Sequence, residues 1–463
     1  MPPNLSVDQR MPRENEPTTT SDDRLQAFSE LLTEGTLAQV GRELLELHPA
    51  EIAHLLESLP HEQRDVVWGL VTPSQEGDIL LQVNDEVRER LIRDMDSSEL
   101  VAATEGLETD DLADILSDFP DAVSEQVLQA MDIQDRLRLQ AVMSYPEDTA
   151  GGLMNTDTIS VRADIDLDVV QRYLRRIGKI PEMTDQLIVT DREDLYLGQL
   201  ALTDLLTKDP NTPVSELMTR DREPLDASMS ETDVAHLFEK RDLISAPVVD
   251  EAGKLVGRIT IDDVVDVIRD EAEHNIMSMA GLSEEDDMFA PVVTSSRRRT
   301  VWLGINLITA LLASWVIGQF DATIEKLVAL AVLMPIVASM GGIAGNQTLT
   351  LMIRGIALGQ VSKTNARKLL NKELLVGILN GTIWALVVAA VVVFWFNDYQ
   401  LGGIIAVAML INLIVAALAG ASIPLALKRL GIDPALAGGV VLTTVTDVIG
   451  FLAFLGLAAL VLV

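Results

Sequence analysis

Three patterns of hydrophobic and polar positions divide the chain. From about residue 24 to 140, apolar residues recur at three- and four-residue spacing between short polar joints, which predicts helices throughout. EIAHLLESLP (51–60) is matched by DLADILSDFP (111–120), and each is followed by a second helix-like run, 61–71 and 121–131. Paired short helices at a recurring offset predict a stacked superhelical domain. From about 150 to 268 the chain is duplicated: GLMNTDTISVRADIDLDVVQRYL (152–174) parallels ELMTRDREPLDASMSETDVAHLF (216–238), and LGQLALTDLL (197–206) parallels VGRITIDDVV (256–265). β-Branched runs at 187–190, 247–249 and 257–261 predict strands, so each copy reads helix, strand, strand, helix. After residue 297 five apolar runs follow, near 301–320, 323–350, 374–396, 401–427 and 435–463, each long enough to cross about 30 Å of hydrocarbon. The expected fold is therefore multidomain. A tail at 1–23, with no apolar signal-peptide core and expected to be disordered, precedes a helical acidic domain at 24–145. A duplicated α/β pair at 146–268, a connecting helix at 269–296 and an α-helical transmembrane bundle at 297–463 complete it.

Charge sharpens this division. Residues 297–463 carry 11 Lys+Arg against 6 Asp+Glu, whereas residues 1–296 carry 24 against 64, a net charge of −40. Such a surface repels nucleic acid and anionic headgroups and concentrates cations. The chain has no cysteine and five histidines, all before residue 275, which disfavours zinc and copper sites; the oxygen ligands that remain suit magnesium, calcium or manganese. Arg297–Arg299, then Arg354, Lys363, Arg367, Lys368 and Lys372, then Lys428 and Arg429 fall at alternate joints of the apolar runs. The positive-inside rule then predicts a cell-membrane protein with cytoplasmic N-terminal domains and an outside C-terminus.

The last apolar run holds one acid near its middle, Asp447, in TTVTDVIG. A carboxylate at the centre of a span costs about 2.5–3.5 kcal/mol on insertion scales and by default marks an ion pathway. None of the other runs has a Lys or Arg at mid-depth to neutralise it. Two readings stand: a cation or proton path, or an acid that is protonated or bonded to Thr443, Thr444 or Asn412. One carboxylate is also a poor counterion for a divalent ion, and a two-fold dimer would bring two together. Mg²⁺ sheds water reluctantly, so two carboxylates with threonine or backbone oxygens would hold the hydrated ion through its waters. The second run carries Pro335, then Gly341, Gly342 and Gly345, then Asn346 and Gln347. This predicts either a broken helix offering carbonyls to a cavity or a close crossing on small residues. Pro424 predicts a kink in the fourth span. In the acidic region Asp110 and Asp114 share a helical face, as do Asp263, Asp266 and Asp270, where a solvated face competes with a cation site.

The duplicated region resembles tandem cystathionine-β-synthase (CBS) domains, a family that often binds adenosine nucleotides such as ATP. Gly257, Thr260 and Asp263 sit at the strand-to-helix turn where that family places a ribose-contacting Asp, and the second copy fits better than the first at Gly198, Thr203 and Asp204. With PIVASMGGIAGNQ in the second span, TTVTDVIG in the fifth and this domain order, residues 30–463 resemble the MgtE family of magnesium channels and transporters. The resemblance implies a homodimeric Mg²⁺ pore in a lipid bilayer, with Asp447 at the constriction and Asn346, Thr443 and Thr444 beside it. It further implies Mg²⁺ as regulatory ligand, closing the pore through Asp110, Asp114, Asp242, Asp263, Asp266, Glu271 and Asp433. Two departures are visible: Ile343 stands where members commonly have Asn, and His274 where an acid is expected. The alternatives are a proton- or sodium-coupled divalent cation transporter, which would show inverted repeats that five spans cannot supply, and a CBS-regulated membrane-anchored enzyme. No phosphate loop, HExxH or Cys/His cluster supports the latter, so no enzymatic activity is expected.

Overall fold

Short helices with explicit caps begin the structure, a computed structural model that describes residues 28, 30–32, 35–283, 286–362 and 364–462. The tail expected at 1–23 and Lys363 lie outside these residues. Asn84, Asp96 and Asp132 each accept backbone N–H bonds from the first turn of the helix that follows, Asp85–Asp94, Ser97–Ala103 and Ile133–Val142 respectively. The predicted pairs form as Pro49–Glu57 with His61–Trp68 and Thr109–Asp118 with Asp121–Ala130. Alternate helices stack: Pro49–Glu57 packs on Pro73–Gln82, which packs on Ser97–Ala103, which packs on Asp121–Ala130. A solenoid results, cored by Ile52, Leu56, Ile79, Leu80, Val87 and Ile115.

Each copy of the duplicated region forms a three-stranded sheet. β1 (Ser160–Arg162), β2 (Gln186–Thr190) and β3 (Tyr196–Ala201) make one; β4 (Leu225–Asp226), β5 (Ser245–Val249) and β6 (Leu255–Thr260) make the other. In both, the first pair is parallel and the second antiparallel, with a register shift at the same place, Val189/Thr190 and Val248/Val249. The sequence reading missed β1 and β4, which at three and two residues are too short to show an alternating pattern. A second symmetry relates the hairpins. Asp191 and Asp250 cap equivalent turns with their side chains, and the turns exchange bonds, Tyr196 N–H to Gly253 O at 3.1 Å and Leu255 N–H to Asp194 O at 3.0 Å.

The chain divides into two compact units, Met1–Val265 with Glu285–Ala290, and Asp266–Glu284 with Pro291–Val463. In the second, five helices among the described residues are long and apolar enough to span a bilayer: Val292–Gly318, Ala329–Ala357, Ala366–Phe396, Tyr399–Arg429 and Pro434–Leu462. The fourth is the hub, packed by the second, third and fifth. Of the two alternatives for the second span, the break does not occur: Ala329–Ala357 is one continuous helix through Pro335. Its glycines serve close approach instead, because a Cβ on Gly345 would lie 2.9 Å from Leu442, and one on Gly420 would lie 2.6 Å from the Gly345 carbonyl. The third span starts eight residues earlier than expected, at Ala366, and so takes in Glu373, a buried acid paired with Lys372 at 3.1 Å and bonded by Thr348 at 3.3 Å.

Candidate ion-conduction and regulatory sites

Asp447 lies near the middle of Pro434–Leu462, half-buried, with no hydrogen bond or ion pair to another described residue. The neighbours that could have bonded it are otherwise engaged. Thr443 and Thr444 donate to the carbonyls of Gly439 (2.8 Å) and Val440 (2.7 Å), and Asn412 donates to Val337 O (2.8 Å). Asp447 is therefore not bonded to Thr443, Thr444 or Asn412 within the chain. The hydroxyl protons point into the helix, so outward the threonines offer only lone pairs. Such a segment accepts hydrogen bonds and donates none, which suits the outward-pointing protons of a hydrated cation. Asn346 is exposed on the single chain, as are Gln347 and Ile343.

In the first unit the acids gather where the solenoid meets the CBS pair. Glu108 accepts a bond from Asn155, and the Thr109 and Thr156 hydroxyls lie 3.1 Å apart. This seats the N-terminus of Thr109–Asp118, with Asp110 and Asp111, against the start of the helix Ile261–Met279, with Asp262 and Asp263. Burial, then repulsion from Asp263, pushes the Asp110 carboxyl up to about 8. Burial, then Asp262, raises Asp263 to about 7; burial, then Glu108, raises Asp111 to about 6. Asp114 is raised to about 7 by burial and Asp111. Solvent reaches its carboxylate, however, so Asp110 is the stronger indicator. Among the described residues no three His, Asp or Glu side chains converge as a ready-made metal shell. The acids stand close enough to repel but not to chelate, and a cation would bind them through water or after they draw together.

The remaining sensor candidates lie apart from this cluster. Asp242 is exposed and ends the helix Glu231–Arg241 in a left-handed conformation, φ 50°. Asp266 pairs with Arg269 at 3.2 Å. Glu271 is half-buried on the connecting helix, where its backbone carbonyl accepts from Asn275. Asp433 caps the fifth span through Ala435 and Leu436 N–H and contacts His274 Nε2 at 3.3 Å, so a direct His–Asp contact occupies the place where two acids were expected.

The nucleotide candidates each have another structural role. A Cβ on Gly257 would lie 2.8 Å from the Met154 sulfur, so that glycine admits the neighbouring segment. Thr260 donates to Asp262 and Asp263, and Asp263 accepts from Thr260 N–H, which caps the helix. The cleft between the two sheets, lined by Thr184, Gln199, Ser245 and Arg258 among others, measures about 10 Å³, the room of one water. Gly257, Thr260 and Asp263 do not line this cleft.

The sequence reading missed one constellation altogether. Arg64, fully buried in the solenoid, grips Asp287 with two bonds (2.7 and 3.1 Å) and the carbonyls of Leu56 (2.8 Å) and Leu59 (3.2 Å). Glu86 accepts the Asp287 N–H at 2.8 Å. Asp287 belongs to the segment that lies in sequence between Ile261–Met279 and Val292–Gly318, and that segment is bonded to the solenoid within the first unit. No local sequence pattern marks either partner.

These features define a multi-pass membrane protein whose soluble N-terminal part couples a helical solenoid to a CBS pair. Comparison with known proteins narrows this. Family models match at 47–148 (MgtE intracellular N domain), 214–270 (CBS domain) and 334–457 (MgtE, divalent cation transporter). The magnesium transporter MgtE of Thermus thermophilus is 31% identical over 442 residues, covering 94% of this chain and 98% of that protein. That of Bacillus subtilis is 27% identical, covering 95% and 97%. A solved cytosolic domain of the Mg²⁺ channel MgtE in complex with ATP is 32% identical, covers 52% of this chain and 99% of its own, and superposes with a TM-score of 0.47. The chain belongs to the MgtE family.

Proposed function

We propose that this protein carries Mg²⁺ across the cell membrane through a pore built around Asp447, as a homodimer, and that the same ion closes the pore from the cytosolic side. The observation that carries this reading is the unpartnered acid in the fifth span beside threonines that present acceptors only. Two copies of Asp447 would balance the charge of a hydrated Mg²⁺, and contact through its waters avoids the cost of stripping them. Asn346, exposed on the single chain, would line the path once a second copy covers that face.

Regulation follows from the acid cluster in the first unit. With Mg²⁺ scarce, Asp110, Asp111, Asp262 and Asp263 repel; with Mg²⁺ abundant, the ion screens them and draws the solenoid and CBS pair together. Asp114 and Asp242 in the first unit, and Asp266, Glu271 and Asp433 in the second, are the further regulatory acids of this reading. With positive joints inside, the N-terminal domains are cytoplasmic and the C-terminus is outside. Mg²⁺ flux into proteoliposomes tests the reading, comparing the intact chain with Asp447→Ala while internal Mg²⁺ is stepped from about micromolar to about ten millimolar, the scale of weak extracellular-type sites. Flux that falls as internal Mg²⁺ rises and vanishes in the variant supports it. A variant that conducts normally refutes it.

A further inference from the structure

One amide joins three spans. Asn412 has no exposed area at mid-height in the fourth span. Its Nδ2 donates to the Val337 carbonyl of the second span at 2.8 Å, and its Oδ1 is buried with no partner. It fits a slot made by two glycines: a Cβ on Gly341 of the second span would lie 2.3 Å from Nδ2, and one on Gly450 of the fifth would lie 2.7 Å from it. A buried carbonyl oxygen without a donor costs about 1–3 kcal/mol. A leucine of similar size would remove that cost, but it would also remove the one polar tie between the second and fourth spans at this level.

Gly450 stands one helical turn beyond Asp447 on the fifth span. Whatever fixes the depth and rotation of Gly450 against Asn412 therefore fixes where Asp447 points, because the intervening residues are one rigid turn of helix. We propose that Asn412 is a positioning residue for the pore acid. Its bond to Val337 O locks the amide at one height, and the flat amide wedged between Gly341 and Gly450 sets the rotation of the fifth span. This rests on the reading of Asp447 as a pore residue, and the test separates the two claims.

The chain has no native cysteine, so a thiol placed at 447 reports alone. Asp447→Cys in proteoliposomes is reacted with a charged, membrane-impermeant thiosulfonate, with and without Asn412→Leu. The expected result is ready modification of the single variant and at least tenfold slower modification in the double variant, with unchanged size-exclusion profile and thermal midpoint. Gly341→Ala keeps Asn412 but pushes its amide from the side of the second span; paired with Asp447→Cys it serves if Asn412→Leu fails to fold, and it too is expected to slow the reaction. Equal rates in the folded variants and Asp447→Cys alone overturn the positioning role and leave the pore reading intact. A thiol that is unreactive in every background overturns both.

Discussion

Replacing Arg64 with alanine strips the solenoid of a buried cation and leaves its partner in place. Four bonds go: two to the Asp287 carboxylate and one each to the carbonyls of Leu56 and Leu59. Asp287 keeps only the Phe289 N–H on its side chain and His61, whose ring stands 4.0 Å away. Removing one member of a buried ion pair costs about 3–5 kcal/mol, mostly from stranding the other charge. Hydrogen exchange in the full-length protein reads this directly. Amides of Pro49–Glu57 and His61–Trp68 should lose roughly two to three and a half orders of magnitude of protection, at about 1.4 kcal/mol per tenfold. Arg64→Met with Asp287→Leu fills the site with apolar groups and should return to within about 1 kcal/mol of the parent. The His61 imidazole pKa is lowered by burial, then by Arg90 and Arg64. Without Arg64 the ring protonates more readily beside Asp287, so the loss in Arg64→Ala should shrink as pH falls. A loss under about 1 kcal/mol, or a double variant as damaged as the single one, would refute the claim that this pair holds the segment.

Two further outcomes follow from the geometry. Asp110, Asp111 and Asp263 have folded-state pKa values raised above their unfolded ones, so the stability they permit is full below about pH 4, their unfolded range. It is lost as pH rises through about 6 to 8. In chelator the first unit should therefore lower its thermal midpoint over that window, with Mg²⁺ flattening the slope; a midpoint that rises with pH would contradict it. Gly420→Ala drives a methyl to 2.6 Å from the Gly345 carbonyl, an overpacking expected to cost about 1–3 kcal/mol, whereas a Cβ on Gly439 meets nothing within 4 Å and should gain about 0.5–1 kcal/mol of helix propensity. Thermal unfolding in detergent should separate the two variants in opposite directions.

What the sequence disclosed depended on how local each signal was. Five spans were legible because lipid forces every backbone group to be satisfied within an unbroken apolar helix, a demand written continuously along the chain. The CBS duplication showed because two copies of the pattern stood side by side. Asp447 stood out because a charge among apolar residues is conspicuous. In span two, glycine supports both a break and a close crossing, and only the positions of Leu442, Asn412 and Gly420 decided for the crossing. Glu373 was passed over because it lies among the charged residues that usually flank a span. Arg64 and Asp287 were invisible for a different reason: they are separated by 223 positions, and a buried pair leaves no periodicity.

That separation has a topological meaning. The Arg64–Asp287 contact closes a ring of chain that contains both CBS sheets. Within the first unit, residues 286–290 are therefore tied to the solenoid directly as well as through the CBS chain. A single peptide bond cut inside the CBS region would leave Arg64–Asp287 among the contacts that still join the two fragments.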